Sequence, residues 1–388
     1  MGRQPVVIIG SGLAGYTVAR EFRKLDTETP VVILSEDHGG FYSKPMLSNA
    51  FAQKKSADSL LMKDAAKMAA EIKVEVKANS KVTAIDPQFK RLTVNGEVLS
   101  YSKLVLALGA DPIRLPLQGN GAEAVLSVND LDDYRRFRET VDGKKDIAIL
   151  GAGLIGCEFA NDLVGAGYNV HVIDLAPQLL GRLLPPESAA FIQRKLEEEG
   201  VVFHLGTTAQ KVERIQNIDQ PGEQFSLSLA NGESLVADVV LSAVGLRPRT
   251  ALAASAGIKT NRGIVVNGLL QTNFEDIYAL GDCAEVEGRV LPYVMPIMHA
   301  ARALAPILIG NSTPVHYPAM PVAVKMPACP TVVSPPEFGA QGDWKVEGSI
   351  DGIKATFHHK DGQLLGFALM GAAVTEKATL TQQLPSVS

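Results

Sequence analysis

The 388-residue chain is poor in cysteine and tryptophan, with three cysteines and one tryptophan. Cys157, Cys283 and Cys329 are far apart in sequence, and no C-x-x-C pair or zinc-ligand spacing occurs. The histidines show no ligand spacing either, as seen at His171, His204, His299, His358 and His359. We therefore expect a reduced, cytoplasmic protein without a disulfide framework and without a metal site.

Long apolar runs and an excess of positive charge are also missing. No uncharged apolar stretch reaches the ~18 residues of a membrane span, and the formal net charge is −5. These absences argue against membrane insertion and against nucleic acid as a partner. A glycine pattern that begins at Gly10 leaves no room for a cleavable signal peptide. The hydrophobic content of 46% is enough for the cores of two or three domains.

Two copies of a glycine pattern organise the sequence. Apolar runs are followed by G-x-G-x-x-G at Gly10, Gly12 and Gly15 and again at Gly151, Gly153 and Gly156. The first glycine allows a tight turn, the second lets the backbone approach a pyrophosphate, and the third lets helix pack on strand. We assign Leu13, Ala14 and Ile155, which lie within the same loops, to cofactor binding. Two such units predict two nucleotides held against each other, and hence electron transfer between them.

A carboxylate ends the second predicted strand of each unit. Glu36 lies 21 positions after Gly15, and Asp174 lies 18 positions after Gly156. Such a residue accepts hydrogen bonds from the adenosine ribose, and it repels a 2′-phosphate. Because no arginine adjoins Asp174, we expect NADH rather than NADPH. For Glu36, an ordinary surface acid in a loop is the alternative.

Pro45 shapes the segment Phe41–Ser48. Proline disfavours the helical region at the residue that precedes it, so the segment is predicted to be an extended turn. Lys44 would then be a fixed cation near the nucleotide, and a solvated surface lysine is the alternative.

The order of elements indicates an α/β fold with three domains. Val74–Val76, Val82–Ile85 and Arg91–Val94 alternate like strands of a small antiparallel insert. The buried strands Leu104–Ala110 and Val239–Val244 run into glycines, Gly109 and Gly245. We predict one dinucleotide-binding domain from residues 1–112 and 246–316, a second from residues 113–245, and a small α+β domain from residues 317–388.

This order of motifs resembles the pyridine nucleotide–disulfide reductase superfamily, whose fold is glutathione-reductase-like with two Rossmann-like domains. Besides the two fingerprints, the resemblance rests on Leu104–Gly109, Val244–Pro248 and Asn273–Asp282. It implies FAD on the first unit and NAD on the second. It also implies that Asp282 binds the ribityl chain and phosphates of FAD, and that Gly109 and Gly245 lie at the cofactors.

The position of cysteine divides this superfamily into branches. Disulfide reductases carry C-x-x-x-x-C shortly after the first fingerprint, and peroxidases and oxidases keep one cysteine there, whereas Phe41–Ser48 has none. The resemblance therefore narrows to the ferredoxin- and rubredoxin-type reductases. The runs Leu291–Ile297 and Pro318–Lys325 are similar to the rubredoxin type. Ferredoxin-type tails usually carry a tryptophan-containing F-W-S-like stretch, and the single tryptophan here is Trp344.

The resemblance to the rubredoxin type implies a mechanism and a set of site residues. NADH would pass a hydride to flavin N5, and rubredoxin, a one-electron iron carrier, would take the electrons one at a time. Lys44 and Glu158 would form an ion pair beside N5, with Lys325 near the flavin. Val82 would contact adenine through its backbone, and a helix starting at Val294 would face the pyrimidine side of the flavin. A plain first-turn acid is the alternative for Glu158.

Other functions remain open at this point. The same half-reaction could serve ferredoxin or flavorubredoxin, and the electrons could enter alkane hydroxylation or oxidant defence. A non-catalytic redox-sensing flavoprotein and a thiol-dependent peroxide reductase are further alternatives. An acidic rubredoxin would need a basic docking face, for which the candidates are Arg135, Arg136, Arg138, Lys144 and Lys145. A solvated helix face is the plainer interpretation of these residues.

Overall fold

Each glycine fingerprint joins a buried strand to a helix in the computed structural model, which describes residues 3–216 and 223–387. The first unit contains β1 (Val6–Ile9), α1 (Leu13–Leu25), β2 (Val31–Leu34), β3 (Phe41–Tyr42), α2 (Ala57–Leu60), β4 (Leu61–Lys63), α3 (Ala65–Ile72), β5 (Glu75–Lys77), β6 (Val82–Asp86), β7 (Arg91–Val94), β8 (Glu97–Ser100), β9 (Lys103–Leu106) and β10 (Ala110–Pro112). The second unit contains α4 (Leu131–Val141), β11 (Asp146–Leu150), α5 (Leu154–Gly165), β12 (Asn169–Asp174), α6 (Pro186–Glu198), β13 (Val201–Leu205), β14 (Ala209–Gln216), β15 (Glu223–Leu229), β16 (Ser234–Ala237), β17 (Val239–Ser242) and β18 (Leu246–Pro248).

The remaining elements belong to a return segment and a tail. The return segment contains α7 (Ala251–Ser255), β19 (Ile264–Val266), β20 (Ile277–Ala279), β21 (Ala284–Val286) and α8 (Val294–Leu308). The tail contains β22 (Val322–Val324), β23 (Thr331–Ser334), β24 (Asp343–Ser349), β25 (Gly352–His358), β26 (Leu364–Gly371) and α9 (Lys377–Thr381).

The first unit is built on a parallel sheet with the strand order β20, β9, β1, β2, β5. All four residues of β1 are buried, as a strand covered on both faces requires. Strand β20 joins this sheet only after the chain has built the second unit, so two separate segments share one core. Helices α1 and α8 pack against each other on this core.

The second unit repeats the arrangement with the parallel order β13, β12, β11, β17. The antiparallel strands β14, β15 and β16 cover one face of this sheet, where Ala148 and Ile173 pack with Leu227. Helices α4, α5 and α6 lie on the other face. The antiparallel pair β10 and β18 carries the two connections between the units.

The tail is an antiparallel sheet with the order β22, β23, β26, β25, β24. Its apolar residues Val333 and Ala368 share one buried cluster with Phe191 and Leu196 of α6. The tail therefore packs on the second unit rather than standing apart. None of the helices in the described ranges is long and apolar enough to cross a membrane.

Two local predictions are wrong. The predicted strand Val74–Val76 does not join an antiparallel insert: the observed strand β5 pairs in parallel with β2, and the insert consists of β6, β7 and β8. As an outermost strand, β5 is exposed at alternate residues, so it shows the alternation that an insert would show.

The segment after Tyr42 is not extended either, because Lys44–Asn49 forms a 3₁₀ helix. Pro45 lies in its first turn, where the missing N–H removes no hydrogen bond.

Two histidines of the second sheet lie against each other and predict a dependence of stability on pH. The rings of His171 and His204 are stacked, with Nδ1 and Nε2 3.1 Å apart. Glu233 lies 3.5 Å from His204. Burial and the neighbouring His204 lower the pKa of His171, against the attraction of Asp146.

The unfolded chain thus binds a proton at His171 more readily than the native state does, so stability falls as pH drops below about 6.5. His171→Gln removes this contribution, because glutamine does not titrate. We expect its melting temperature to fall less than that of the wild type between about pH 7.5 and about pH 5. Parallel curves for the two proteins would contradict the prediction.

Candidate functional site

The first fingerprint forms a turn that only glycine fits, with open space in front of it. A Cβ at Gly15 would lie 1.9 Å from the carbonyl oxygen of Gly10, so helix α1 packs directly on the turn. A Cβ at Gly12, in contrast, would meet no described atom within 4 Å. Gly12 is the N-cap of α1, and the described residues provide neither a capping side chain nor a first-turn acid there. The free N–H groups and the open space fit a pyrophosphate.

The second fingerprint has the same geometry. A Cβ at Gly156 would lie 1.9 Å from the carbonyl oxygen of Gly151, whereas the position at Gly153 meets no described atom within 4 Å. Gly153 caps α5, again without a capping side chain or a first-turn acid among the described residues. Ile155, in the first turn, is 41% exposed. Both units therefore offer a phosphate cradle at the carboxyl edge of a parallel sheet.

The two predicted ribose acids lie at this edge. Asp174 ends β12, and its carboxylate accepts hydrogen bonds from the backbone N–H groups of Ala152 (2.5 Å) and Ala176 (2.7 Å). Glu36 follows β2 and forms an exposed ion pair with Lys81 at 2.6 Å. Lys81 precedes Val82, so the two residues assigned to the adenosine end of FAD lie close together. Their contacts with ribose and adenine stay predictions.

Lys44 lies between the two units. Its Nζ donates a hydrogen bond to Oδ1 of Asn129 at 2.7 Å. Burial lowers the pKa of Lys44, and Asp282 works in the opposite direction. Asp282 lies in the 3₁₀ turn that follows β20, and burial raises the pKa of its carboxyl group while Lys44 lowers it. The predicted cation and the predicted FAD-binding acid are therefore electrostatic neighbours.

Glu158 is completely buried, and it holds three contacts from two distant segments. Its Oε1 accepts the backbone N–H of Lys325 at 2.9 Å, and its Oε2 accepts the hydroxyl of Ser48 at 2.5 Å. The ammonium of Lys325 forms an ion pair with the same Oε2 and donates to Ser48 Oγ at 3.2 Å. We call Glu158, Ser48 and Lys325 the buried charge cluster.

The predicted ion pair between Lys44 and Glu158 is wrong. Among the described residues, Glu158 is paired with Lys325, and the ammonium of Lys44 is held by Asn129. Ser48 and Lys325 already occupy both carboxylate oxygens, so the carboxylate has little capacity left for a second cation. Only the resemblance places Lys325 near the flavin, and the sequence gives no local signal that the segment after β22 reaches α5. Sequence reasoning misses Ser48 and Asn129 altogether.

Gly109 and Gly245 lie in the loops that follow β9 and β17 rather than at the strand ends, and their contacts with the cofactors stay predictions. Gly109 (φ +71°) precedes β10, and Gly245 (φ +120°) precedes β18. Helix α8 begins at Val294, as predicted, and Val294 is 40% exposed. Arg249 binds Asp111 at 2.6 Å across the two crossing strands.

The three cysteines have structural surroundings. All are buried and free. Burial raises the pKa of the Cys157 thiol and of the Cys329 thiol, and it raises the pKa of Cys283 to about 11. A reactive thiolate needs the opposite environment. The surroundings of the three cysteines therefore argue against a thiol-dependent peroxide reductase.

The basic residues proposed for docking are mostly engaged within the chain. Arg135 binds Asp58 and Asp132, and Arg136 lies 3.6 Å from Asp133. Arg138 donates to the carbonyl oxygen of Lys55 and lies over the ring of Phe51. These contacts favour a paired helix surface over a free basic face.

Comparison with known proteins adds a family and several relatives. Residues 4–305 match the family described as pyridine nucleotide-disulphide oxidoreductase, and residues 314–384 match the rubredoxin binding C-terminal domain. The rubredoxin-NAD(+) reductase of Alcanivorax borkumensis is 50% identical over 383 residues, which cover 99% of each chain. The nitric oxide reductase FlRd-NAD(+) reductase of Vibrio vulnificus is 35% identical, with 98% of each chain covered. The ferredoxin reductase for the CYP199A2 system from Rhodopseudomonas palustris has a TM-score of 0.88 at 26% identity, with 99% of this chain and 96% of that chain covered.

Alanine substitutions at Gly153 and at Gly156 should have different effects, because the first glycine faces open space and the second packs on the backbone. In Gly153→Ala the new methyl group enters open space, so the melting temperature should stay unchanged while the KM for NADH rises. In Gly156→Ala the methyl group meets the backbone of Gly151, so the protein should lose stability by about 1–3 kcal/mol. Thermal unfolding and steady-state kinetics of both variants check this. An unchanged KM in Gly153→Ala would count against a phosphate at this turn.

Proposed function

The chain belongs to the pyridine nucleotide-disulphide oxidoreductase family, and on that premise we propose that it is an NADH-dependent FAD enzyme that reduces a rubredoxin. The observation that carries this proposal is the joining of two phosphate cradles to a tail that matches the rubredoxin binding C-terminal domain. The 50% identity with a rubredoxin-NAD(+) reductase over nearly the whole chain supports it. The 35% identity with an FlRd-NAD(+) reductase makes flavorubredoxin the second candidate acceptor.

Bound FAD supplies the link between a two-electron donor and a one-electron acceptor, because it takes a hydride at N5 and releases electrons singly. The first cradle, at Gly12, would hold its pyrophosphate, with Asp282 toward the ribityl chain and Glu36 toward the adenosine ribose. The second cradle, at Gly153, would hold NADH, with Asp174 on the adenosine ribose.

The chain's own charges would orient the ring system and stabilise the negative charge that develops on it. Lys44 would do so as a cation fixed by a neutral amide, beside Asp282. Lys325 would act from the tail, fixed by Glu158. Fixed charges of this kind act without reorganisation during the reaction. We further propose a reducing, cytoplasmic location, which the three free cysteines support.

Anaerobic stopped-flow spectroscopy tests the proposed function. We expect NADH to bleach the flavin absorbance within seconds, and reoxidation by rubredoxin to be faster than reoxidation by ferredoxin or by flavorubredoxin. Equal rates with the three acceptors would contradict the proposed partner. Failure of NADH to bleach the flavin would favour a non-catalytic sensor.

Asp174→Asn tests the selection of NADH. The amide keeps the size of the side chain but loses the charge that repels a 2′-phosphate and binds ribose hydroxyls. We expect the NADH to NADPH ratio of kcat/KM to fall about tenfold or more. Glu233→Gln, an acid of the same unit near His204, is the matched control and should keep the wild-type ratio. A wild-type ratio in Asp174→Asn would refute the assignment.

A further inference from the structure

The buried amide residue Asn129 is hydrogen-bonded to Lys44, Ala110 and Asp133, where the two units meet. Asn129 is 7% exposed and lies just before α4 of the second unit, whereas Lys44 and Ala110 belong to the first. We propose that Asn129 is a positioning residue for flavin reduction, which fixes the ammonium of Lys44 and ties it to the crossing strand β10. This inference rests on the proposed function and adds a residue that the sequence did not single out.

Both ends of the amide are used, and its orientation is determined by its neighbours. Oδ1 accepts a hydrogen bond from Nζ of Lys44 at 2.7 Å, and Nδ2 donates to the carbonyl oxygen of Ala110 at 2.9 Å. An ammonium only donates and a carbonyl only accepts, so the reversed amide would lose both bonds. The backbone N–H of Asn129 donates to Asp133 Oδ2 at 3.1 Å. The residue is therefore held from three sides.

The acceptor for Lys44 is neutral, and this has an electrostatic consequence. A carboxylate in direct contact would cancel most of the positive field of the ammonium, whereas an amide oxygen orients it and leaves the charge in place. Asp282 and two acids at the start of α4, the N-cap Asp130 and Asp133, act on Lys44 from farther away, and Arg249 opposes them. Burial lowers the pKa of Lys44, which agrees with a cation that lacks a contacting carboxylate among the described residues.

The amide also couples Lys44 to the connection between the units. Ala110 begins β10, which pairs with β18, and these two strands are the crossing connections. Any change in the angle between the units that moves Asn129 relative to β10 would shift the ammonium as well. The position of Lys44 is therefore set where the two nucleotides are expected to meet.

A double-mutant cycle tests the inference. Asn129→Leu keeps the approximate volume of the side chain and removes both of its hydrogen bonds. We expect the single-turnover rate of flavin reduction by NADH to fall about tenfold, with the KM for NADH and the FAD content unchanged. The visible absorption spectrum of the flavin should change in the same way as in Lys44→Ala. In the Lys44→Ala background, Asn129→Leu should cause no further loss, because it acts through Lys44.

Asn161→Leu is the matched control. Asn161 is a half-buried amide that also bridges two parts of the chain, since its Oδ1 accepts the N–H of Ala328 at 3.1 Å. In the described part of the chain its side-chain hydrogen bond goes to neither Lys44 nor a predicted cofactor residue, so the rate and the flavin spectrum should stay as in the wild type.

Asn129→Asp supplies a second measurement if the leucine variant does not fold. It keeps an acceptor for Lys44 but adds a negative charge, so the flavin midpoint potential should fall relative to the wild type. Additive losses in the double mutant, a wild-type rate in Asn129→Leu, or an unchanged potential in Asn129→Asp would overturn the inference. So would a Lys44→Ala variant with the wild-type rate and spectrum. Lack of bleaching by NADH in the wild type contradicts the proposed function instead, and the shared spectral change then still tests Asn129.

Discussion

A fully buried carboxylate must be paired, and the pairing of Glu158 brings three parts of this chain together. Its oxygens accept hydrogen bonds from Ser48 of the first unit and from Lys325 of the tail, while Glu158 itself belongs to the helix of the second fingerprint. Leaving one partner of such a pair without the other typically costs about 3–5 kcal/mol. The tail is thus held against both units by an interaction that tolerates little displacement.

The same pairing determines what Lys44 can do. Ser48 and Lys325 occupy Glu158, and the ammonium of Lys44 lies against an amide, with Asp282 acting on it electrostatically. The protein therefore has two cations between its units, one neutralised by direct contact and one largely not. Contact with Glu158 weakens the positive field of Lys325, whereas no carboxylate among the described residues contacts the ammonium of Lys44. The predicted pair would have neutralised Lys44, whereas the observed pair of Glu158 with Lys325 leaves Lys44 without a contacting carboxylate among the described residues.

Local features of the fold could be predicted from the sequence, and contacts between distant segments could not. Strand β7 has the predicted bounds, because its apolar residues Leu92 and Val94 alternate with polar ones. Strand β14 lacks the period-two alternation of a strand, because its apolar residues Ala209, Val212 and Ile215 are three positions apart, and only its pairing with β15 shows it to be one. The contacts Ser48–Glu158 and Lys44–Asn129 span 110 and 85 residues. No local pattern encodes such contacts, since tertiary packing alone creates them.

The two ends of the tail meet. The backbone N–H of Val387 donates to the carbonyl oxygen of Tyr317 at 2.8 Å, so the first and last described parts of the tail lie side by side. A module with adjacent ends can be exchanged for another without rerouting the rest of the polypeptide. A different tail could thus replace this one while the two glycine-fingerprint units stay as they are. Each substitute, however, would have to bring its own cation to the place of Lys325, or the buried Glu158 would be left with a deficit of positive charge.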